Sequence, residues 1–159
     1  MSWWRGNRGE WYVVAQLGLF GLVAFGPRSL PGWPAWPALV EAIARPGGAV
    51  LLAAGAIVLA LAVRRLGRSL TPLPAPTRDS ELAVTGPFAL VRHPIYSAVI
   101  LLAFGWALFA RGTLTLGYAS LLAVFLDRKA SREERWLLDR YPGYADYRAR
   151  VRKLIPFLY

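Results

Sequence analysis

A chain of 159 residues with no cysteine and one histidine excludes a disulfide framework, a thiolate nucleophile and the usual ligand sets of a transition-metal site. Hydrophobic residues make up 56% of it and mean hydropathy is +0.38; they arrive in uncharged blocks instead of at an amphipathic period, which excludes an ordinary soluble globule. The net charge of +10 does not point to nucleic acid: with both termini inside, all but three of the 19 Lys and Arg residues (Arg28, Arg45 and Arg111) fall on the inner side of a membrane, the positive-inside bias.

In chain order, Met1–Glu10 is a basic lead-in whose Trp3 and Trp4, with Trp11, suit an interface. Trp11–Gly26 is followed by Pro27 and Arg28, not by a small-residue cleavage site, and reads as a retained first span. The prolines between Pro27 and Pro37 forbid a continuous helix, Trp33 and Trp36 suit the outer interface, and Pro37 opens a short surface helix through Ala44. Gly47–Val63 is the second span; its Ala49, Ala53, Ala56 and Ala60 permit close helix packing, and Arg64, Arg65 and Arg68 snorkel to the inner face. Leu70–Pro76 is extended by its alternating prolines, within an inner loop long enough to suggest function.

Pro94–Ala110 and Gly112–Leu126 are the third and fourth spans, joined through Arg111-Gly112-Thr113 as a tight antiparallel hairpin. The fourth reaches only about 22 Å, against a hydrocarbon core of roughly 30 Å. A charged tail follows from Asp127, helical by composition, broken at Pro142-Gly143 and resumed over Tyr144–Leu154. The expected fold is therefore all-α: one domain over 1–159, a polytopic membrane protein with four transmembrane helices (11–26, 47–63, 94–110, 112–126) and a cytoplasmic helical tail over 127–159. It belongs in the plasma (inner) membrane as a multi-pass protein with both termini cytoplasmic, and membrane lipids are its surroundings. Oligomeric state is not legible.

The candidate site is Gly86-Pro87-Phe88-Ala89-Leu90-Val91-Arg92-His93-Pro94-Ile95-Tyr96. Gly86-Pro87 fixes a turn, and Pro94 pushes His93 out of helical geometry while opening the third span. The free N–H groups of that helix end suit an anionic group, with Arg92 adding charge, His93 a tunable donor or acceptor and Tyr96 a hydroxyl. The structural alternative is an interfacial cap. Glu133-Glu134 also has two readings: Ser131-x-x-Glu134 matches a capping box, which leaves Glu133 to face the motif, since adjacent helical residues point about 100° apart. Tyr141, Tyr144 and Tyr147, three apart, can share one face, suitable for a purine or a sulfonium cation.

The ordered set Gly86-Pro-Phe-x-x-Val-Arg-His-Pro-Ile-Tyr96, a two-helix hairpin, Glu133-Glu134-x-x-Leu137, Tyr144-x-x-Tyr147 and Val151-x-x-x-Ile155-Pro156 resembles the isoprenylcysteine carboxyl methyltransferase family of integral membrane methyltransferases. The resemblance runs from about Leu70 to Phe157. It implies S-adenosylmethionine bound on the cytoplasmic side by Ser80, Glu81, Leu82, Ala83, Phe88, His93, Pro94, Ile95, Tyr96 and Tyr144, with Glu133, or Glu134 one place on, as the acidic ligand. Arg128 or Lys129 matches a basic residue associated with the acceptor's carboxylate, and Arg92 joins them as a candidate catalytic group. No metal is implied. Phe88 stands where a tyrosine is common, and Ser97-Ala98 where a small, glycine-containing pair is usual.

The function expected is methyl transfer from S-adenosylmethionine to a lipophilic or lipid-linked acceptor, with a carboxylate among the candidate groups, by in-line displacement driven by positioning and water exclusion. Two alternatives stand beside it. An NADPH-dependent membrane sterol or enone reductase has a similar C-terminal architecture, and the Glu133-Glu134 pair argues against it. A non-catalytic lipid-binding protein would account for the basic inner face.

Overall fold

The computed structural model describes residues 10–67 and 82–159. Among these the chain is all-helical: α1 (Glu10–Phe25), α2 (Ala38–Leu66), a 3-10 turn (Gly86–Ala89), α3 (Pro94–Phe109), α4 (Thr113–Arg140) and α5 (Tyr144–Arg150). α3 and α4 form the expected antiparallel hairpin, α2 packs on the outside of α3 and α1 on the outside of α4. The core lies between α1, α3 and α4, where Ala103, Ala119, Leu122 and Leu126 are surrounded by Phe20, Val23, Val99, Ile100 and Phe104. Leu17, Phe25, Leu39, Ile43, Val50, Ile57, Leu61, Leu121 and Val124 are left exposed. An apolar surface of that extent marks a face for contact with membrane or protein.

One described helix, α2, is long and apolar enough to cross a membrane; α1 and α3 are shorter apolar helices. The expected surface helix over 37–44 and span over 47–63 are one element of 29 residues, with Pro46 inside it. Proline removes one N–H but does not end the helix, because the preceding turns are tied to the hairpin tip. Glu41 pairs with Arg111 at 3.1 Å, Arg45 lies 5.4 Å from the Phe109 ring, and Ala44 is buried. The outer loop packs on the same tip, with Trp36 donating to Thr113 Oγ1 at 2.8 Å and Arg28 over the Trp106 ring.

The close contact between α2 and α3 uses Gly48 and Gly55, not the Ala49, Ala53, Ala56, Ala60 stripe, which is exposed. A Cβ on Gly48 would meet the Phe109 backbone nitrogen at 2.5 Å, and one on Gly55 the Ala98 carbonyl oxygen at 2.9 Å. Ala98, fully buried, is therefore small for a packing reason.

The tail differs from expectation in two ways. The fourth apolar block and the charged segment are a single helix of 28 residues, so Ser131 lies inside it and cannot cap its start. α5 ends at Arg150, and the next residues run extended beside the opening motif as a parallel bridge between Val91 and Arg152.

Candidate functional site

The motif is held from both directions. Tyr147 donates to the Phe88 carbonyl at 2.5 Å, which fixes the 3-10 turn against α5. The N–H groups of Arg92 and His93 donate to the carbonyls of Arg152 and Lys153 at 2.8 and 3.1 Å. Ser97 donates its hydroxyl to the Leu154 carbonyl at 2.6 Å, with the His93 carbonyl at 3.1 Å. Ser97→Ala removes one such bond, worth about 1 kcal/mol. Amide exchange over residues 151–154 is expected to quicken by about fivefold on that account; unchanged protection would show that the hydroxyl does not hold the segment.

Pro94 directs the chain so that His93 ends in a non-helical conformation, buried, with its ring stacked on Tyr96 at a centroid distance of 5.6 Å. From α4, Glu133 and Glu134 approach this ring on its two sides. Glu134 Oε1 is 3.2 Å from His93 Nε2, and Glu133 Oε2 is 3.6 Å from Nδ1. Both acids thus reach the motif, where their angular separation predicted that one would. His93 lies between them, so a difference of about 100° places them on either flank.

Glu134 accepts from Arg92 Nε at 2.8 Å and lies 3.3 Å from Arg148 Nε. Arg92 Nη1 donates to the carbonyls of Arg148, at 3.1 Å, and Val151. Burial by itself would raise the Glu134 carboxyl, but the hydrogen bonds from His93 and Arg92 outweigh it and hold the group at about 2. The anionic group at the start of α3 is therefore the protein's own carboxylate. The expected free anion site there is a closed ion-pair network, and the capping reading of Glu134 does not hold.

Glu133 has a different environment. It accepts from the Tyr96 hydroxyl, and its carboxyl is raised by burial, against the pull of His93, Tyr96 and Lys129. Lys129, one turn earlier, is 2% exposed. Its ammonium donates to Gln16 Oε1 of α1 at 2.7 Å and lies 5.3 Å from the Tyr96 ring; burial lowers its pKa while Glu133 opposes the shift. Arg128 is exposed on another face of α4, so of the two basic candidates the structure brings Lys129 to the cluster. The reason is the helical period: Lys129 and Glu133 are four apart and stack on one face.

Pro94, Ile95 and Phe88 lie at the turn as expected, with Phe88 and Pro94 buried. Leu82 and Ala83 are half-buried in the extended approach to the turn. Ser80 and Glu81 lie outside the described residues. Tyr144 and Tyr147 form an edge-to-face pair at 5.8 Å, while Tyr141 precedes α5 and does not share their face. Among the described residues the Tyr144 hydroxyl is buried without a hydrogen-bond partner, and burial followed by the Glu134 charge raises its pKa. Sequence reasoning missed Ser97, Gln16, Arg148 and the carbonyls of 151–154 as parts of this cluster. Only the Arg-His-Pro spacing hinted that an extended partner would be needed to satisfy the N–H groups ahead of the proline.

In chemical terms the cluster joins a carboxylate and the stacked His93 and Tyr96 rings on the Glu133 flank to a closed salt bridge on the Glu134 flank, and the unpartnered Tyr144 hydroxyl lies on the latter, among Glu134, Arg92 and Arg148. It suits a ligand that is part cation and part aromatic, and no His, Cys, Asp or Glu grouping among the described residues could hold a metal ion. A search of curated proteins finds no match. The sequence profile of the phospholipid methyltransferase family matches residues 44–143, more than half of the chain and the whole run from the motif through Glu133-Glu134. The chain belongs to that family, within the isoprenylcysteine carboxyl methyltransferase-like group of membrane methyltransferases.

Proposed function

From that membership we propose that the protein transfers a methyl group from S-adenosylmethionine to a lipid-borne acceptor at the inner face of the plasma (inner) membrane. In this reading α1, α2 and the α3–α4 hairpin provide four membrane crossings with both termini cytoplasmic. The observation that carries it is the buried cluster of His93, Tyr96, Lys129 and Glu133, built from an His-Pro-x-Tyr turn and one helical face inside the matched residues.

The residues fit the cofactor. A buried carboxylate with a raised pKa gains from a nearby cation, and the stacked rings accept an aromatic or sulfonium face. S-adenosylmethionine, when bound, supplies an electrophilic methyl group on a sulfonium. Glu133, His93 and Tyr96 would hold it, and the Tyr96–Glu133 hydrogen bond would fix the acid toward it. The network around Glu134 holds the segment 151–154 over the turn and keeps water from the rings. Lys129 faces the acceptor side. An acceptor amine must shed a proton, which Lys129 would take up only in its neutral form; an acceptor carboxylate needs only its charge.

Calorimetric titration of the detergent-purified protein is expected to show binding of S-adenosylhomocysteine and none of NADPH. The reverse pattern would install the reductase reading instead. Glu133→Gln is expected to weaken S-adenosylmethionine by about 10- to 100-fold, the worth of a buried charge contact. The pH dependence follows from the sign of the Glu133 shift. A raised carboxyl loses its charge, as pH falls, at a higher pH than an ordinary glutamate, so affinity for the sulfonium should decline from above the usual range near 4.3. In Glu133→Gln this decline disappears; a profile identical to the parent's would remove Glu133 from the cofactor.

A further inference from the structure

Beyond the Glu134 side of the cluster lies a cavity of about 400 Å³ lined by five cationic side chains, Arg92, Arg135, Arg148, Arg152 and Lys153, against one acid, Glu134. Three of the five are engaged: Arg92 and Arg148 with Glu134, and Lys153 with Asp127 and with Ser131 Oγ at 2.7 Å. The guanidinium groups of Arg135 and Arg152 have no ion pair or hydrogen bond among the described residues, and both residues are exposed. Gathering unneutralised cations around a concavity costs electrostatic repulsion that an anion removes.

The rest of the rim is of another kind. Leu158 and Tyr159 line the same cavity, and Ile155, Phe157 and Leu158 around them are 49%, 89% and 76% exposed. Phe157 holds a positive φ of 64°, so the turn that presents it is a built conformation. A soluble phosphate has no use for this apolar rim. A sulfonium centre gains nothing from a cavity whose unpaired charges, Arg135 and Arg152, are both cationic.

We propose that this cavity binds the phosphate-bearing head of an anionic phospholipid from the inner leaflet, a lipid other than the methyl acceptor, while the segment 155–159 lies against the lipid's apolar portion. The buried Arg92–Glu134 pair is the wall between this lipid and the cluster of Glu133, Tyr96 and Lys129. A bound phosphate would draw Arg148 and Arg92 from the same side as the segment that covers the turn, so lipid occupancy would reinforce closure of the site. The inference rests on the membrane orientation proposed above and not on methyl transfer.

The test uses the full chain purified in detergent, with dioctanoyl phosphatidylglycerol as probe and dioctanoyl phosphatidylcholine, inorganic phosphate and S-adenosylhomocysteine as competitors. The anionic lipid is expected to bind at least about tenfold more tightly than the zwitterionic one. The double variant R135A/R152A is expected to lose about 10- to 30-fold in affinity, and R135K/R152K to keep most of it. S-adenosylhomocysteine binding by R135A/R152A should stay at the parent value, which also reports that the fold is intact. Displacement by inorganic phosphate at equal concentration would make this a soluble-anion site and overturn the proposal. Equal binding of the zwitterionic lipid, competition by S-adenosylhomocysteine, or indifference to R135A/R152A would each overturn it too. The lipid titration is read without reference to cofactor, so failure of the methyltransferase reading appears separately.

Discussion

Arg92→Ala is expected to destabilise the protein by about 3–5 kcal/mol, the cost of breaking a buried ion pair from one side. The Arg92 and Glu134 side chains are 9% and 5% exposed, so solvent cannot replace the lost partner. The same guanidinium also serves the carbonyls of Arg148 and Val151, and those acceptors are orphaned together. Melting of the purified protein should fall by roughly 10 °C on a scale of about 2–4 °C per kcal/mol. Arg92→Lys should recover only part of this, because an ammonium does not reproduce the fork that spans a carboxylate and two carbonyls. Equal stability of Arg92→Lys and the parent would reduce the contact to simple charge. Acid should reveal the partner: Glu134 is depressed, so its contribution is present above the unfolded carboxylate value and is lost as pH falls toward about 2.

The second large effect lies outside the site. Gly48→Leu places a side chain where even a Cβ meets the Phe109 backbone nitrogen at 2.5 Å and the Gly105 carbonyl oxygen at 2.7 Å. Backbone atoms of α3 cannot swing aside as a side chain can, so the helices must separate; overpacking of this sort costs about 1–3 kcal/mol or more. Because α3 carries His93 at its start, separation also displaces the cluster, and both thermal stability and cofactor affinity should fall. Gly117→Leu on α4, where nothing lies within 4 Å, is the matched control and should leave both near the parent value. Similar losses in the two variants would mean that bulk in the membrane face, and not the α2–α3 contact, is what matters.

Much of the helical plan was readable because uncharged runs and proline breaks act locally. The hairpin at Arg111-Gly112, the break at Pro142-Gly143 and the start of α3 at Pro94 all fall where their residues demand. Continuity was harder. Pro46 and the shift to charge at Asp127 look like boundaries in sequence, yet helix α2 is held through its proline by Glu41 and Arg45, and α4 has no residue that stops it before Arg140. At the site, the motif and the paired acids named the right residue types. Their division of labour was not legible, since whether Glu133 or Glu134 is the ion-paired one depends on where Arg92 and Arg148 meet α4. The extended segment after Arg150 was invisible for the same reason: nothing local distinguishes a last helical turn from a strand that finds its partner 59 to 61 positions away.

That long reach has a consequence in time. Arg92 finds its carboxylate 42 residues later and its carbonyl acceptor 59 residues later. At ribosomal rates of about 5–20 residues per second, the arginine of the turn waits on the order of seconds before its carboxylate and carbonyl partners exist. Through that interval the charge must be carried by water or lipid phosphate at the membrane edge. The nascent protein therefore cannot draw the turn inward early, and assembly of the site is ordered by synthesis itself.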